Sequence, residues 1–134
     1  MDLKEKIRSI PDFPIKGVLF RDVTTLLKDK EGYHELINTI ADSLKDRQVD
    51  LVIGPEARGF VIGAALAYAL NAGFVLARKP GKLPCETMRY EYGLEYGSDV
   101  LEIHTDSIQP GQKVVIVDDL LATGGTALAT VKLV

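Results

Sequence analysis

Between residues 29 and 45 the apolar side chains fall at Tyr33, Leu36, Ile37, Ile40, Ala41 and Leu44, with polar residues filling the gaps. Counted from Tyr33 these are offsets of 0, 3, 4, 7, 8 and 11, which lie along one stripe of a helix, so the segment predicts an amphipathic helix. The pattern then changes. Residues 49–54 predict a strand, 58–71 a helix and 74–78 a second strand, a βαβ unit that implies parallel pairing. Asn71, Ala72 and Gly73 supply a helix stop and a turn, so the apolar stretch 59–77 divides into two soluble elements and is not a membrane span. Residues 100–104 predict a further strand. Pro110 and Gly111 turn the chain into 113–117, whose VVIV is the kind of run found in a sheet covered on both faces. Helix is expected to resume near Thr126.

Two segments lack such periodicity. Asp2 caps a brief helix with Glu5 three residues on, and Pro11 closes it because proline has no amide to donate. Residues 11–25, with Phe13, Pro14, Gly17, Val18, Leu19 and Phe20, are too apolar for a free tail. Pro and Gly break them too often for a regular element, so they predict an irregular arm laid across something. Residues 79–97 are rich in Gly, Pro and charge and predict a surface loop, mobile in part, of the kind that often carries chemistry. No repeat and no linker appears, so residues 1–134 are expected to form one domain.

Composition narrows the function without naming it. Hydrophobic residues make up 46% and charged residues 26% of 134, ordinary globular values that exclude a disordered or fibrous chain. Sixteen Lys and Arg against nineteen Asp and Glu give a net charge of −3, which disfavours broad attachment to nucleic acid or an anionic membrane. Any anion site must be local. The single cysteine, Cys85, excludes an internal disulfide and a Cys-rich zinc site, and the N-terminus lacks the apolar core of a secretory signal. A cytoplasmic protein is expected. His34 and His104 lack metal-ligand spacing, and Cys85 has no His nearby in sequence, so all three are expected to be structural or solvated.

The strongest chemical signal is VVIVDDLLATGGTA at 114–127: a buried strand, two carboxylates at its C-terminal end, a glycine loop and a helix start. Ligands in open α/β sheets sit just outside the carboxyl ends of the strands. Gly124 and Gly125 let the main chain approach a ligand, Thr123 and Thr126 offer hydroxyls, and amides at a helix N-terminus favour phosphate. Asp118 and Asp119 would repel a bare phosphate, which suits them to sugar hydroxyls or to a hydrated magnesium ion. Taken alone, TGGT is equally compatible with a capped, flexible turn. Arg58, at a strand-to-helix junction, is open to two readings: a fork for phosphate oxygens or a solvated ion pair. Phe20 likewise suits either a flat ligand or ordinary packing. Glu95 alone reads as a surface carboxylate.

The motif VVIVDDLLATGGT resembles the phosphoribosyl pyrophosphate signature of the type I phosphoribosyltransferases. Four further segments are similar to the adenine-specific branch of that family: FPIKGVLFRDVTTLLKD (13–29), GPEARGFVIG (54–63), RKPGKLP (78–84) and LEYGSDVLEIH (94–104). They occur in the family's order and span nearly the whole chain. The resemblance implies an α/β fold of the type I phosphoribosyltransferase kind, a mainly parallel sheet flanked by helices, with residues 1–28 as an N-terminal helix and base-binding hood and 29–134 as the core. It implies transfer of a 5-phosphoribosyl group from phosphoribosyl pyrophosphate to adenine, giving AMP and pyrophosphate. In that frame Ala122, Thr123, Gly124, Gly125 and Thr126 hold the 5′-phosphate, and Asp118 and Asp119 engage the ribose hydroxyls. Glu56, Ala57, Arg58 and Gly59 form the pyrophosphate loop, in which Arg58 is assigned as catalytic. Arg78, Lys79 and Lys82 help neutralise pyrophosphate, partly across a homodimer interface. Glu95, beside Tyr96, moves a proton at the base, and Val18, Leu19, Phe20 and Arg21 line its pocket. Mg²⁺ is implied as cofactor, bound mainly through substrate and water, with no direct side-chain ligand.

Two rivals share the scaffold: an enzyme for another purine base, and a non-catalytic sensor of the phosphoribosyl donor. The hood match speaks against the first, and the acidic pair with Arg58 and Glu95 against the second. Family members continue the final helix and add strand and helix material past the position matching Val134. The corresponding expectation is an exposed sheet edge and apolar surface, partly covered by association with a partner.

Overall fold

The computed structural model describes residues 2–94, 97–118 and 131, and divides the chain into two compact units, Met1–Asp42 and Ser43–Val134. In the first unit Asp2 caps as expected, its carboxylate accepting the Lys4 amide at 3.0 Å, but the capped element is a single 3-10 turn, Leu3–Lys6. Beyond it the expected irregular arm is instead a hairpin. Strand β1 (Arg8–Pro11) pairs antiparallel with β2 (Leu19–Asp22), Arg8 facing Asp22 and Pro11 facing Leu19. Pro11 ends its strand, a place where a missing amide is tolerated. The Pro and Gly residues therefore build the reversal between the strands and do not break them. Gly17 there has φ of 89°, its amide donates to the Asp12 carboxylate at 2.8 Å, and the Phe13 amide donates to the Val18 carbonyl at 3.1 Å.

Helices α1 (Thr24–Leu27) and α2 (Lys30–Leu44) come next. Asp29 accepts the Gly32 amide at 2.8 Å at the start of α2. The predicted stripe is present: Tyr33, Leu36, Ile37, Ile40, Ala41 and Leu44 are all buried or half-buried, and most of the residues between them face out.

The second unit is built on a parallel sheet in which β3 (Leu51–Pro55) lies between β4 (Gly73–Ala77) and β7 (Val114–Ile116). Leu51 is opposite both Gly73 and Val114. The crossover from β3 to β4 runs through α3 (Arg58–Leu70), which ends at Asn71 in the left-handed conformation, φ 56°. The Ala72 amide then bonds the Ala67 carbonyl at 2.9 Å, the helix stop expected from the sequence. Among the described residues no helix is long and apolar enough to cross a membrane.

Half of the predicted surface loop is strand. β5 (Thr87–Leu94) and β6 (Gly97–His104) form an antiparallel hairpin, and an isolated bridge between Arg78 and Glu102 ties β6 to the end of β4. The polar residues that suggested a loop face solvent at Arg89 and Glu91, while Tyr90 packs against the core of Ile53, Val75, Ala77, Leu101 and Ile103. The β7 run is half-buried at every position and β3 is buried at four of five, so the strand covered best is β3, not the VVIV segment.

Candidate active site

Because the three strands are parallel and in register, their carboxyl ends share one edge of the sheet. Pro55 is opposite Ala77, and the Val117 amide continues the ladder to the Ile53 carbonyl at 2.9 Å. Residues 56–58 leave β3 there, 78–82 leave β4 and Asp118 lies just past β7. Close packing fixes the junction of β3 with α3. A Cβ on Gly54 would lie 2.4 Å from the Gly59 carbonyl oxygen. One on Gly59 would lie 3.1 Å from the Val117 carbonyl oxygen and 3.5 Å from Asp118 Oδ1. The first turn of α3, with Arg58 as its first residue, therefore sits directly against the end of β7 and its carboxylate.

One side chain organises the edge. The Glu56 amide donates to the Ala77 carbonyl at 3.0 Å. Its carboxylate, about 9% exposed, accepts the Lys79 amide at 2.6 Å on Oε1 and the Lys82 ammonium at 2.9 Å on Oε2, and lies 3.4 Å from Arg78 Nε. Arg78 Nε is buried and makes no hydrogen bond, so that last contact is electrostatic, and the guanidinium carbon stands 5.7 Å from the Phe60 ring centre. Burial alone would raise the pKa of Glu56, but the Lys79 amide, the Lys82 ammonium and the Arg78 guanidinium outweigh it and hold the carboxyl below its ordinary range.

A second carboxylate, the buried Glu102, secures the same loop. Its main chain bonds Arg78 in both directions, at 2.9 and 2.7 Å. Its side chain accepts the Gly81 amide at 3.1 Å and the Thr87 hydroxyl at 3.0 Å.

Of the residues singled out from the sequence, Arg58, Arg78, Lys79, Lys82 and Asp118 stand on this one edge. Asp119, Ala122, Thr123, Gly124, Gly125, Thr126, Glu95 and Tyr96 lie outside the described residues, as does the helix expected near Thr126. Val18, Leu19, Phe20 and Arg21 belong to the hairpin of the first unit. Leu19 is 52% exposed, Phe20 meets Phe13 edge-on at 5.1 Å, and Arg21 donates to Ser9 across the strands. His104 Nε2 is 2.8 Å from the Pro84 carbonyl oxygen and Cys85 is an exposed thiol. Among the described residues no three His, Cys, Asp or Glu side chains gather as metal ligands would. Sequence reasoning placed Glu56 in the pyrophosphate loop without a task for its carboxylate, and gave no role to Glu102. A carboxylate two residues past a buried strand's glycine is a weak signal, and partners 23 and 26 residues away leave no local trace.

Comparison with known proteins agrees with this geometry. The model of the phosphoribosyl transferase domain family matches residues 22–134. An adenine phosphoribosyltransferase of Alkaliphilus metalliredigens is 63% identical over the full chain, which covers 79% of that relative. Among solved structures, an adenine phosphoribosyltransferase from Thermoanaerobacter pseudethanolicus is 59% identical, with a TM-score of 0.93 over 98% of this chain and 76% of that one. The Saccharomyces cerevisiae enzyme, complexed with an imino-altritol bisphosphate and adenine, is 41% identical, also at 0.93, over 98% of this chain and 77% of its own.

Proposed function

The chain belongs to the adenine phosphoribosyltransferases, with their type I fold, and transfers the 5-phosphoribosyl group of phosphoribosyl pyrophosphate to adenine, giving AMP and pyrophosphate; we propose that the cations on the edge of its parallel sheet take the pyrophosphate. Arg58 presents a planar fork of donors from the first turn of α3, and Arg78, Lys79 and Lys82 add charge from the loop after β4. Together they stabilise the negative charge that builds on the leaving group as the glycosidic bond breaks. Asp118 and Asp119 accept hydrogen bonds from the ribose hydroxyls. The amides and hydroxyls of Ala122, Thr123, Gly124, Gly125 and Thr126 hold the 5′-phosphate.

Val18, Leu19, Phe20 and Arg21 take the adenine, apolar side chains against its faces and main-chain groups at its edge. Glu95, with Tyr96 beside it, moves the proton at the imidazole edge of the base. The donor set of the sheet edge, a carboxylate oxygen at Asp118 alongside substrate phosphates, suits magnesium, which keeps most of its waters and takes one or two carboxylates. Asp118 and Asp119 would hold such an ion through its waters, and when bound it supplies further positive charge to the leaving pyrophosphate.

The family match begins at residue 22 within the first unit and runs through the second, and the Alkaliphilus relative aligns over the full chain, which supports reading residues 1–134 as a single phosphoribosyltransferase domain. We read the working form as a cytoplasmic homodimer. Val61 and Tyr68, seven residues apart on one face of α3 and 43% and 90% exposed, are apolar surface that such an assembly would cover. A monomer in analytical ultracentrifugation would overturn the dimer.

The observation that carries the site reading is the arrival of Arg58, Arg78, Lys79, Lys82 and Asp118 at one sheet edge from three separate stretches of sequence. The test is incubation with magnesium, adenine and phosphoribosyl pyrophosphate, with AMP followed by chromatography. R58A is expected to lower kcat/KM by about a hundredfold, as loss of one transition-state donor does. Wild-type rates in R58A would remove Arg58 from the site.

A further inference from the structure

We propose that Glu56 is a positioning residue for the pyrophosphate end of the reaction: it fixes the turn that carries Arg58 against the loop that carries Arg78 and Lys82. The inference rests on the site reading above and gives a role to a side chain that contacts no substrate in it. Glu56 ties the turn to the end of β4 by its amide to Ala77, and to the loop that follows by its carboxylate to the Lys79 amide, Lys82 and Arg78. Both carboxylate oxygens are engaged, and the side chain is about 9% exposed, so water screens the pairs less than it would on an open surface.

The cations themselves need such a hold. The Lys82 side chain is 48% exposed, and a lysine of that kind otherwise samples many rotamers. A polyanion that meets cations already aimed loses less of its binding free energy to ordering them. The two carboxylates of the edge divide the task. The Glu102 carboxylate grips the loop through Gly81 and Thr87, whereas that of Glu56 grips two of the cations directly. A glutamine at position 56 still accepts the Lys79 amide but no longer pairs with the cations, which separates aim from fold.

The test is E56Q, with binding of magnesium pyrophosphate measured by calorimetry, KM for phosphoribosyl pyrophosphate and for adenine measured separately, and thermal melting alongside. Pyrophosphate Kd and donor KM are expected to rise about tenfold, with adenine KM within about twofold and the melting temperature close to wild type. The loss caused by K82A is expected to shrink in the E56Q background, since the two residues act as one unit. Should E56Q not fold, E56D keeps the charge, shortens the reach by one methylene and is expected to shift the same constants in the same direction. Pyrophosphate bound as tightly or more tightly by the variant would overturn the proposal, because Glu56 would then compete with the ligand. A parallel rise in both KM values with a lowered melting temperature would also overturn it. R58A separates the two levels: no loss of pyrophosphate binding in R58A sinks the site reading, whereas a loss there with none in the Glu56 variants sinks only this proposal.

Discussion

Each unit of the molecule contains a largely covered carboxylate that faces an arginine, Asp22 in the first and Glu56 in the second, and the two differ in how they meet it. In the first, Asp22 accepts from Nε of Arg8 at 3.0 Å and also from its terminal nitrogen, from the Thr24 amide at 2.9 Å and from the Thr24 hydroxyl at 2.6 Å. Those partners tie β1 to β2 and start α1, so its work is finished within the hairpin. In the second, Glu56 meets a main-chain amide and two cations, Lys82 by a hydrogen bond at 2.9 Å and Arg78 at 3.4 Å without one. A carboxylate surrounded by well-aligned donors serves as a brace. One that meets an arginine nitrogen without a hydrogen bond leaves that nitrogen unsatisfied, which fits the proposed role of the edge in taking an anion.

The largest effect that would sharpen this contrast belongs to neither carboxylate but to the junction beneath Glu56. G54A places a methyl group 2.4 Å from a main-chain oxygen that cannot move without shifting α3. It is expected to cost about 3 kcal/mol in urea unfolding, the upper end of overpacking. Next is the proposed sugar-binding pair: if Asp118 and Asp119 each make a charge-assisted hydrogen bond to a ribose hydroxyl, D118N combined with D119N is expected to lower turnover about a hundredfold. Stability should change by less than about 1 kcal/mol. A double variant with normal turnover would break the assignment.

The brace itself makes a pH prediction. Hydrogen bonds from Thr24 and Arg8 lower the pKa of Asp22 from 3.8 to about 2. Its contribution is therefore complete above pH 3.8 and is lost as pH falls through about 2, when the folded state too becomes protonated. D22N should be less stable than wild type at neutral pH, with the gap closing in acid, as measured by melting temperature against pH. The smallest effect expected is that of L19S. Leu19 is 52% exposed, so stability should move by no more than about 0.5 kcal/mol while KM for adenine rises. An unchanged adenine KM would take Leu19 out of the base pocket.

The same division explains what could be read from the sequence. The helix stripe from Tyr33 to Leu44, the βαβ unit and the Asn71 stop depend on neighbours within a few turns, and all three are visible in the order of residues. The hairpins are not, because β1 is largely exposed, as are Met88, Arg89 and Glu91 of β5, the strands are held by pairing with a distant partner, and their Pro, Gly and charged residues resemble a loop until the partner is in place. The cations of the site were legible as residue types next to strand ends. Their grouping around Glu56 was not, since the contacts span more than twenty positions and no spacing encodes them.

Glu102 has a mechanical consequence. A single residue of β6 anchors the stretch from Arg78 to Thr87 at its start by main chain, at Gly81 by one carboxylate oxygen and at Thr87 by the other. The stretch is thus a tether with both ends tied to the same post, and it has no slack to let out. Inserting a residue between Lys82 and Thr87 would have to bulge outward and leave the basic end undisturbed, while an insertion between Arg78 and Gly81 would throw that end off its mark.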